Sequence, residues 1–306
     1  MKSKSIKISD LVSFANGVCS IKIINPAKEE DLIIGISPIN ESYEHTLTWT
    51  KKNKVDFKKL KARILIAPED IELENSDGVV VLATSNPRFL FAKILNEFFA
   101  FQETKEIHSS AIISPYCKIG DNVSIGPFSV IEGNVEIGDN VVVDSHCHIK
   151  KGTVIGSNSI IGSSTIIGND GFGLEFEKDG KPFRFTHIGG VSIGKHTTIG
   201  SLVTICKGTL TNTTVGNYVH IDDHVHIAHN VIIGDNTIIT ACAEISGSCE
   251  IGANVWISPN SSINDYVKIG DKAFVGIGSV VTKKIIKSGL RVFGNPSFPL
   301  NNCGAE

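Results

Sequence analysis

From Ile107 onward the chain keeps a beat of six: positions 107, 113, 119, 125, 131, 137, 143, 149, 155, 161 and 167 are all Ile or Val. A second run holds 193, 199 and 205, and a third takes every sixth position from Val215 to Val281 without a miss. An amphipathic helix needs apolar residues at steps of three and four, and a half-buried strand alternates by two. A period of six satisfies neither. It marks a parallel β-helix, in which each hexapeptide forms one side of a triangular coil and stacked aliphatic residues fill the centre. Glycine often follows the aliphatic residue, as at 120, 126, 138 and 156, and is expected to relieve the corners of the coil. Between the runs the spacing is 26 and then 10, and together these restore the phase of the first run. Both interruptions are therefore expected to be loops extruded from one continuous prism of eight or nine coils. The longer contains Lys178-Asp-Gly-Lys-Pro182, a hairpin-turn signal flanked by aromatic residues.

The first hundred residues lack this beat and read as α/β. Asp10 to Ala15 is expected to be a helix with Ser9 as its N-cap and Gly17 just past its end. Asp31–Ser37, Arg63–Ala67 and Gly78–Ala83 are short aliphatic runs suited to buried strands. Pro87 is placed to open an amphipathic helix that runs to about Ala100, and Gln102 to Glu106 form a polar link. The organisation expected is an α+β N-terminal domain at 1–103, an all-β parallel β-helix at 104–284 and a short C-terminal tail at 285–306.

Charge and cysteine usage exclude several classes. The 29 Lys and Arg nearly balance 32 Asp and Glu, for a formal charge of -3, which offers no general attraction for nucleic acid or an anionic membrane. Seven scattered cysteines without a CxxC pair argue against a disulfide framework or a structural zinc site. The N-terminus has no apolar core followed by a cleavage site, and no apolar run approaches the ~20 residues of a membrane span. A soluble, cytoplasmic protein is expected.

One stretch concentrates chemistry. Residues 220–234, HIDDHVHIAHNVIIG, hold four of the ten histidines and two aspartates. Aliphatic residues at 221, 227 and 233 turn inward and push the polar residues between them outward. His220, His224 and His226 are polar positions of a solvated coil, and no Cys or Glu pattern completes a tetrahedral set, so no metal site is expected. An imidazole titrating near neutrality suits general-base work.

Asn169-Asp-Gly-Phe-Gly173, Ile188-Gly-Gly-Val191 and the segment from Ile221 to Gly234 resemble the UDP-3-O-acylglucosamine N-acyltransferase family of lipid A synthesis, within the hexapeptide acyltransferases. Gly35-Ile-Ser-Pro38, Leu47-Thr-Trp49 and Asn86-Pro-Arg-Phe-Leu-Phe-Ala92 are similar to that family's nucleotide-binding domain, so the likeness covers nearly the whole chain. The resemblance implies a left-handed β-helix, a homotrimer, and His229 as general base. Asp222 matches the aspartate that would orient the imidazole, with the adjacent Asp223 as the alternative. Substrate contacts fall on Trp49, Asp170, Gly171, Phe172, Gly173, His187 and Asn230; Trp49 is placed equally well by stacking on a base or by core packing. Gly247, eighteen residues beyond His229, is the expected oxyanion donor. His187 stands where the family has Gln, and Ile205-Cys-Lys-Gly208 where it has Ile-Asp-Arg-Gly.

The coil end differs as well. Val280-Val-Thr-Lys-Lys284 and Phe293-Gly-Asn-Pro-Ser297 are similar to the ending of acetyltransferases that use acetyl-CoA, which assigns acyl-donor contacts to Lys283, Asn295 and Pro296. The function expected is transfer of an acyl group, acetyl from acetyl-CoA first, to the amine of a nucleotide-linked amino sugar for bacterial surface glycans, with no permanently bound cofactor. The alternative is the lipid A enzyme itself, using 3-hydroxyacyl carrier protein (acyl-ACP). A third possibility is a non-catalytic sugar-nucleotide-binding scaffold.

Overall fold

The computed structural model describes residues 5–26, 31–100 and 106–299, and the chain divides into two compact units, Met1–Glu103 and Thr104–Glu306. Most of the expected polar link, Gln102 to Lys105, lies outside the described residues. Among the described residues no helix is long and apolar enough to cross a membrane.

The N-terminal unit is built on a five-stranded sheet in the order Lys22–Ile24, Val80–Ala83, Ile64–Ala67, Thr46–Trp49, Gly35–Ile36. The first pair is antiparallel and the rest are parallel. Ile64–Ala67 and Val80–Ala83 are buried along their whole length, as unbroken aliphatic runs in a sheet covered on both faces must be. One face packs on Leu11 and Ala15 of the helix Ile8–Val18 and on Leu90 and Ile94 of the helix Pro87–Ile94. The first helix starts earlier than its sequence signals: Lys7 is the N-cap without a side-chain bond, and Gly17 lies inside the last turn rather than beyond it. Ser9 therefore caps nothing. The second helix follows expectation, with Pro87 in the first turn and the Asn86 side chain accepting the Phe89 N–H at 3.1 Å. It leaves through a π-turn, Leu95–Phe99.

The second unit is the prism that the periodicity requires. Three parallel sheets run along it, and among the described residues each stacks nine coils. Register is eighteen residues, as in Ile125 against Val143 and Ile131 against Ile149. Every sixth-position aliphatic from Ile125 to Val281 is at most 3% exposed, and together they form one core. Only the open end departs, where Ile107 is 47% exposed. Ile155 pairs with Ile193, Ile167 with Ile205, and Ile193 in turn with Val215. Both interruptions thus leave the stack unbroken, and the longer one carries the antiparallel hairpin Leu174–Phe176 with Pro182–Arg184.

Two expectations need correction. The corners are turned three residues after each aliphatic, where Asn122, Asn140, Asn158 and Asn230 hold φ of 54 to 63° and Gly152 takes φ 81°. Asn and Gly adopt this left-handed conformation most readily. The glycines directly after the aliphatic residues do a different job: a Cβ at Gly126 would lie 2.7 Å from the Ser145 nitrogen of the next coil. They admit close stacking between coils. The second correction concerns the tail. Ile286 pairs with Ile269, and Val292 with Val275, so the prism continues through Phe293 and ends in a hairpin with Phe298–Pro299. Ile286 follows Val281 by five residues instead of six, and that one-residue slip ends the strict count at 281 while the coil goes on.

Candidate active site

His229 sits at a corner of the prism because Ile227, two residues earlier, is fully buried and anchors the rung His226–Ile227. The turn then closes at Asn230, φ 60°. The long loop folds back over this corner. A Cβ on Gly171 would lie 2.7 Å from His229 Cδ2 and 2.5 Å from His187 Nε2; one on Gly247, in the next coil, would lie 2.8 Å from His229 Cε1 and 2.9 Å from Nε2. The two glycines leave a slot one imidazole thick. His187 completes it, its ring centred 5.1 Å from that of His229 and tilted by 59°.

Polar contacts set the state of each ring. His187 is 3% exposed and donates from Nδ1 to the Phe185 carbonyl at 3.1 Å. Asn230 is locked by Thr209, whose N–H donates to Oδ1 (2.7 Å) and whose hydroxyl accepts from Nδ2 (2.8 Å). That orientation turns the Asn230 amide group toward His229 Nδ1 at 3.2 Å and leaves Nε2 beside Gly247. Burial, and then the neighbouring His187, hold the His229 pKa below its ordinary value of 6.5. Both influences favour the neutral imidazole.

The loop is held down by charge. Asp170 pairs with Lys207 at 2.7 Å, which lowers the Asp170 pKa. Arg184 donates to the Gly171 carbonyl at 3.2 Å and lies over the Phe172 ring, 5.5 Å from its centroid. The result is a cleft of about 410 Å³ lined by Asp170, Phe172, Arg184, Thr204, His226, His229, Glu244 and Gly247, among others. Cys206 lines it too, but burial pushes its thiol up to about 11, so it is no nucleophile near neutrality.

The structure gathers His229, Asn230, Asp170, Gly171, Phe172, Gly173, His187 and Gly247 in one place. It does not bring Asp222 there. That carboxylate accepts the N–H groups of Asp223 (2.9 Å) and Ala241 (3.2 Å) at the preceding corner, and Asp223 accepts from Ser201 (2.7 Å). Within the chain neither aspartate bonds His229; the residue at its Nδ1 is Asn230. Trp49 belongs to the N-terminal unit, where it packs on the core and stacks on Phe91 with ring centroids 5.9 Å apart. Lys283 is exposed three rungs beyond Ile227, roughly 14 Å along the prism at ~4.8 Å per rung. Asn295 and Pro296 are exposed in the terminal turn, joined by a cis peptide bond. His220 points out from a different face, and among the described residues no group of three potential ligands is arranged to hold a metal. Thr204, Glu244, Ser246 and Arg184 were not singled out from the sequence. The first two stack above and below His226, which the ladder register predicts once the inserted loops are removed.

Three segments of the prism, 134–169, 212–247 and 248–283, match the bacterial transferase hexapeptide (six repeats) family. The chain is 31% identical over 125 residues to a UDP-3-O-acylglucosamine N-acyltransferase of Nostoc punctiforme, a match covering 39% of this chain and 36% of that protein. It is 36% identical over 226 residues to UDP-3-O-acylglucosamine N-acyltransferase 1 of Francisella tularensis, covering 66% and 65%. The first of these matches spans about a third of that relative's length. A solved UDP-N-acetylglucosamine acyltransferase of Francisella novicida superposes with a TM-score of 0.58 at 31% identity, over 64% of this chain and 70% of that one. With the continuous prism and the loop-covered histidine corner, these likenesses settle the family: the chain belongs to the hexapeptide-repeat acyltransferases of the left-handed parallel β-helix fold.

Proposed function

We propose that the protein is an N-acyltransferase that moves a 3-hydroxyacyl group from acyl carrier protein to the amine of a UDP-linked, 3-O-acylated glucosamine, working as a homotrimer. The names of its relatives favour this over the acetyl-CoA reading with which the sequence began. The observation that carries the chemistry is the neutral His229 imidazole, fixed between Gly171 and Gly247 at the wall of the cleft.

Forming the amide requires the nitrogen to attack the thioester carbonyl, to form C–N and to lose a proton, while C–S breaks and the thiolate leaves protonated. His229 takes the proton from the nitrogen and returns it toward sulfur. To accept at Nε2 the ring must carry its own proton on Nδ1, which gives up the long Asn230 contact, a loss of about 1 kcal/mol. Among the described residues of the chain the group at Nδ1 is Asn230 rather than a carboxylate, and burial favours the neutral form of the ring. Among the described residues the Gly247 N–H donates to no backbone carbonyl, and it lies at the cleft, where it is suited to the developing oxyanion. Asp170 and Phe172 wall the side on which the sugar would enter.

The test offers purified protein 3-hydroxyacyl carrier protein and acetyl-CoA in turn, with UDP-3-O-acylglucosamine and other nucleotide-linked amino sugars, and follows free thiol. Turnover with the carrier protein is expected. Turnover with acetyl-CoA alone would restore the acetyltransferase reading, for which the likeness of Val280–Lys284 and Phe293–Ser297 to acetyltransferases speaks. Binding of sugar nucleotide with no turnover from any donor would leave a scaffold.

A further inference from the structure

Glutamates that point outward from the prism near lysine or histidine on a neighbouring coil are paired: Glu136 with Lys118 at 2.5 Å, Glu250 with Lys268 at 2.7 Å, and Glu132 with His148 at 2.9 Å. Glu244 breaks the pattern. It stands on the rung beside His226, with Ile245 buried next to it, and its register neighbours are His226 and Ser262. Its oxygens accept only from the Ser246 hydroxyl, at 3.2 and 3.3 Å, and among the described residues no cation pairs with it. Yet it is half-buried and lines the same cleft as His229.

The cations around that cleft are committed elsewhere. Lys207 is paired with Asp170, Arg184 with the Gly171 carbonyl and the Phe172 face, and Lys150 with Asn169 at 3.3 Å. A carboxylate partly removed from water without a countercharge loses solvation that only a cation or several donors restore. A primary amine brings both: near neutrality an amine of ordinary basicity, roughly 7.7–8.0 for an α-amino group, is largely charged and has three N–H donors.

We infer that Glu244 is the specificity-determining residue that receives the acceptor's ammonium group and selects an amine over a hydroxyl at the reacting carbon. The inference rests on the N-acyltransferase reading and deepens it. Held by Glu244, the ammonium first releases one proton to solvent; the neutral nitrogen then forms the C–N bond, and the proton it sheds passes through His229 to the departing sulfur.

The test is titration calorimetry with UDP-3-O-acylglucosamine and with its counterpart carrying a hydroxyl in place of the amine, at roughly pH 6.5, where the amine is charged. Wild-type protein should bind the amine at least about ten-fold more tightly. Glu244→Gln should lower that ratio to below about two by weakening the amine alone, and Glu244→Asp should keep part of it. Melting curves unchanged from wild type show that the variants fold. A wild-type preference that persists in Glu244→Gln overturns the inference, as does wild-type protein that turns over the amino sugar while binding both compounds equally. Wild-type protein that binds neither compound overturns the N-acyltransferase reading and the inference with it.

Discussion

Replacing Gly247 by Ala tests whether His229 acts through its position. The added Cβ would lie 2.8 Å from Cε1, roughly 0.7 Å inside the ~3.5 Å approach of two carbons. Retreat is blocked on the far side, where Gly171 already admits the ring so closely that its own Cβ would be 2.7 Å from Cδ2. The imidazole must therefore slide within its slot or push the loop outward, by an amount of the same order. A misplacement of about 1 Å at a reacting group costs on the order of a hundred-fold in rate. The prism core does not feel the change, since Ile245 and the residues stacked on it face the other way. The expected result is kcat reduced about a hundred-fold in the thiol-release assay, with a melting midpoint within about 2 °C of wild type. A Gly247→Ala protein with kcat within about three-fold of wild type would refute the slot as the device that positions the base, since the collision at Nε2 could not then matter.

Two further outcomes follow from the same geometry. The His229 pKa is lowered by burial first and by His187 second, and the neutral ring is the active form, so wild-type activity should persist as pH falls below 6.5. His187→Gln removes the like charge but not the burial, so the acidic limb of the kcat profile should move up toward 6.5; an unmoved limb would dissociate the two rings. Leu202 holds φ 57° at an exposed corner, a conformation that costs an ordinary side chain about 1–2 kcal/mol and that Asn tolerates. Leu202→Asn should therefore raise the melting midpoint by about 2–4 °C, and a fall would show that the Leu side chain is covered in the assembled protein.

The prism was legible because its centre admits only one kind of side chain at one spacing, and both loops could be recognised by the phase they restore. What escaped were relations between coils. Asp222 lies seven residues before His229, which on a six-residue side puts it one corner back, where its carboxylate serves the amides of Asp223 and Ala241. Glu244 was overlooked for the same reason, since its meaning lies in the His226 beneath it rather than in its neighbours along the chain. Glycine separates the two kinds of information most clearly. In the third run Gly216, Gly234, Gly252, Gly270 and Gly276 each follow the aliphatic residue directly, and those up to Gly270 lie where a Cβ would strike the next coil's backbone. Gly278 falls three positions after, at the left-handed corner, φ 63°. Gly247 alone in that run falls two positions after, the phase of His229 itself, and its missing Cβ makes room for an imidazole instead of a coil. Out of step with its run, Gly247 neither stacks nor turns the prism, and the room it leaves is filled by the imidazole of His229.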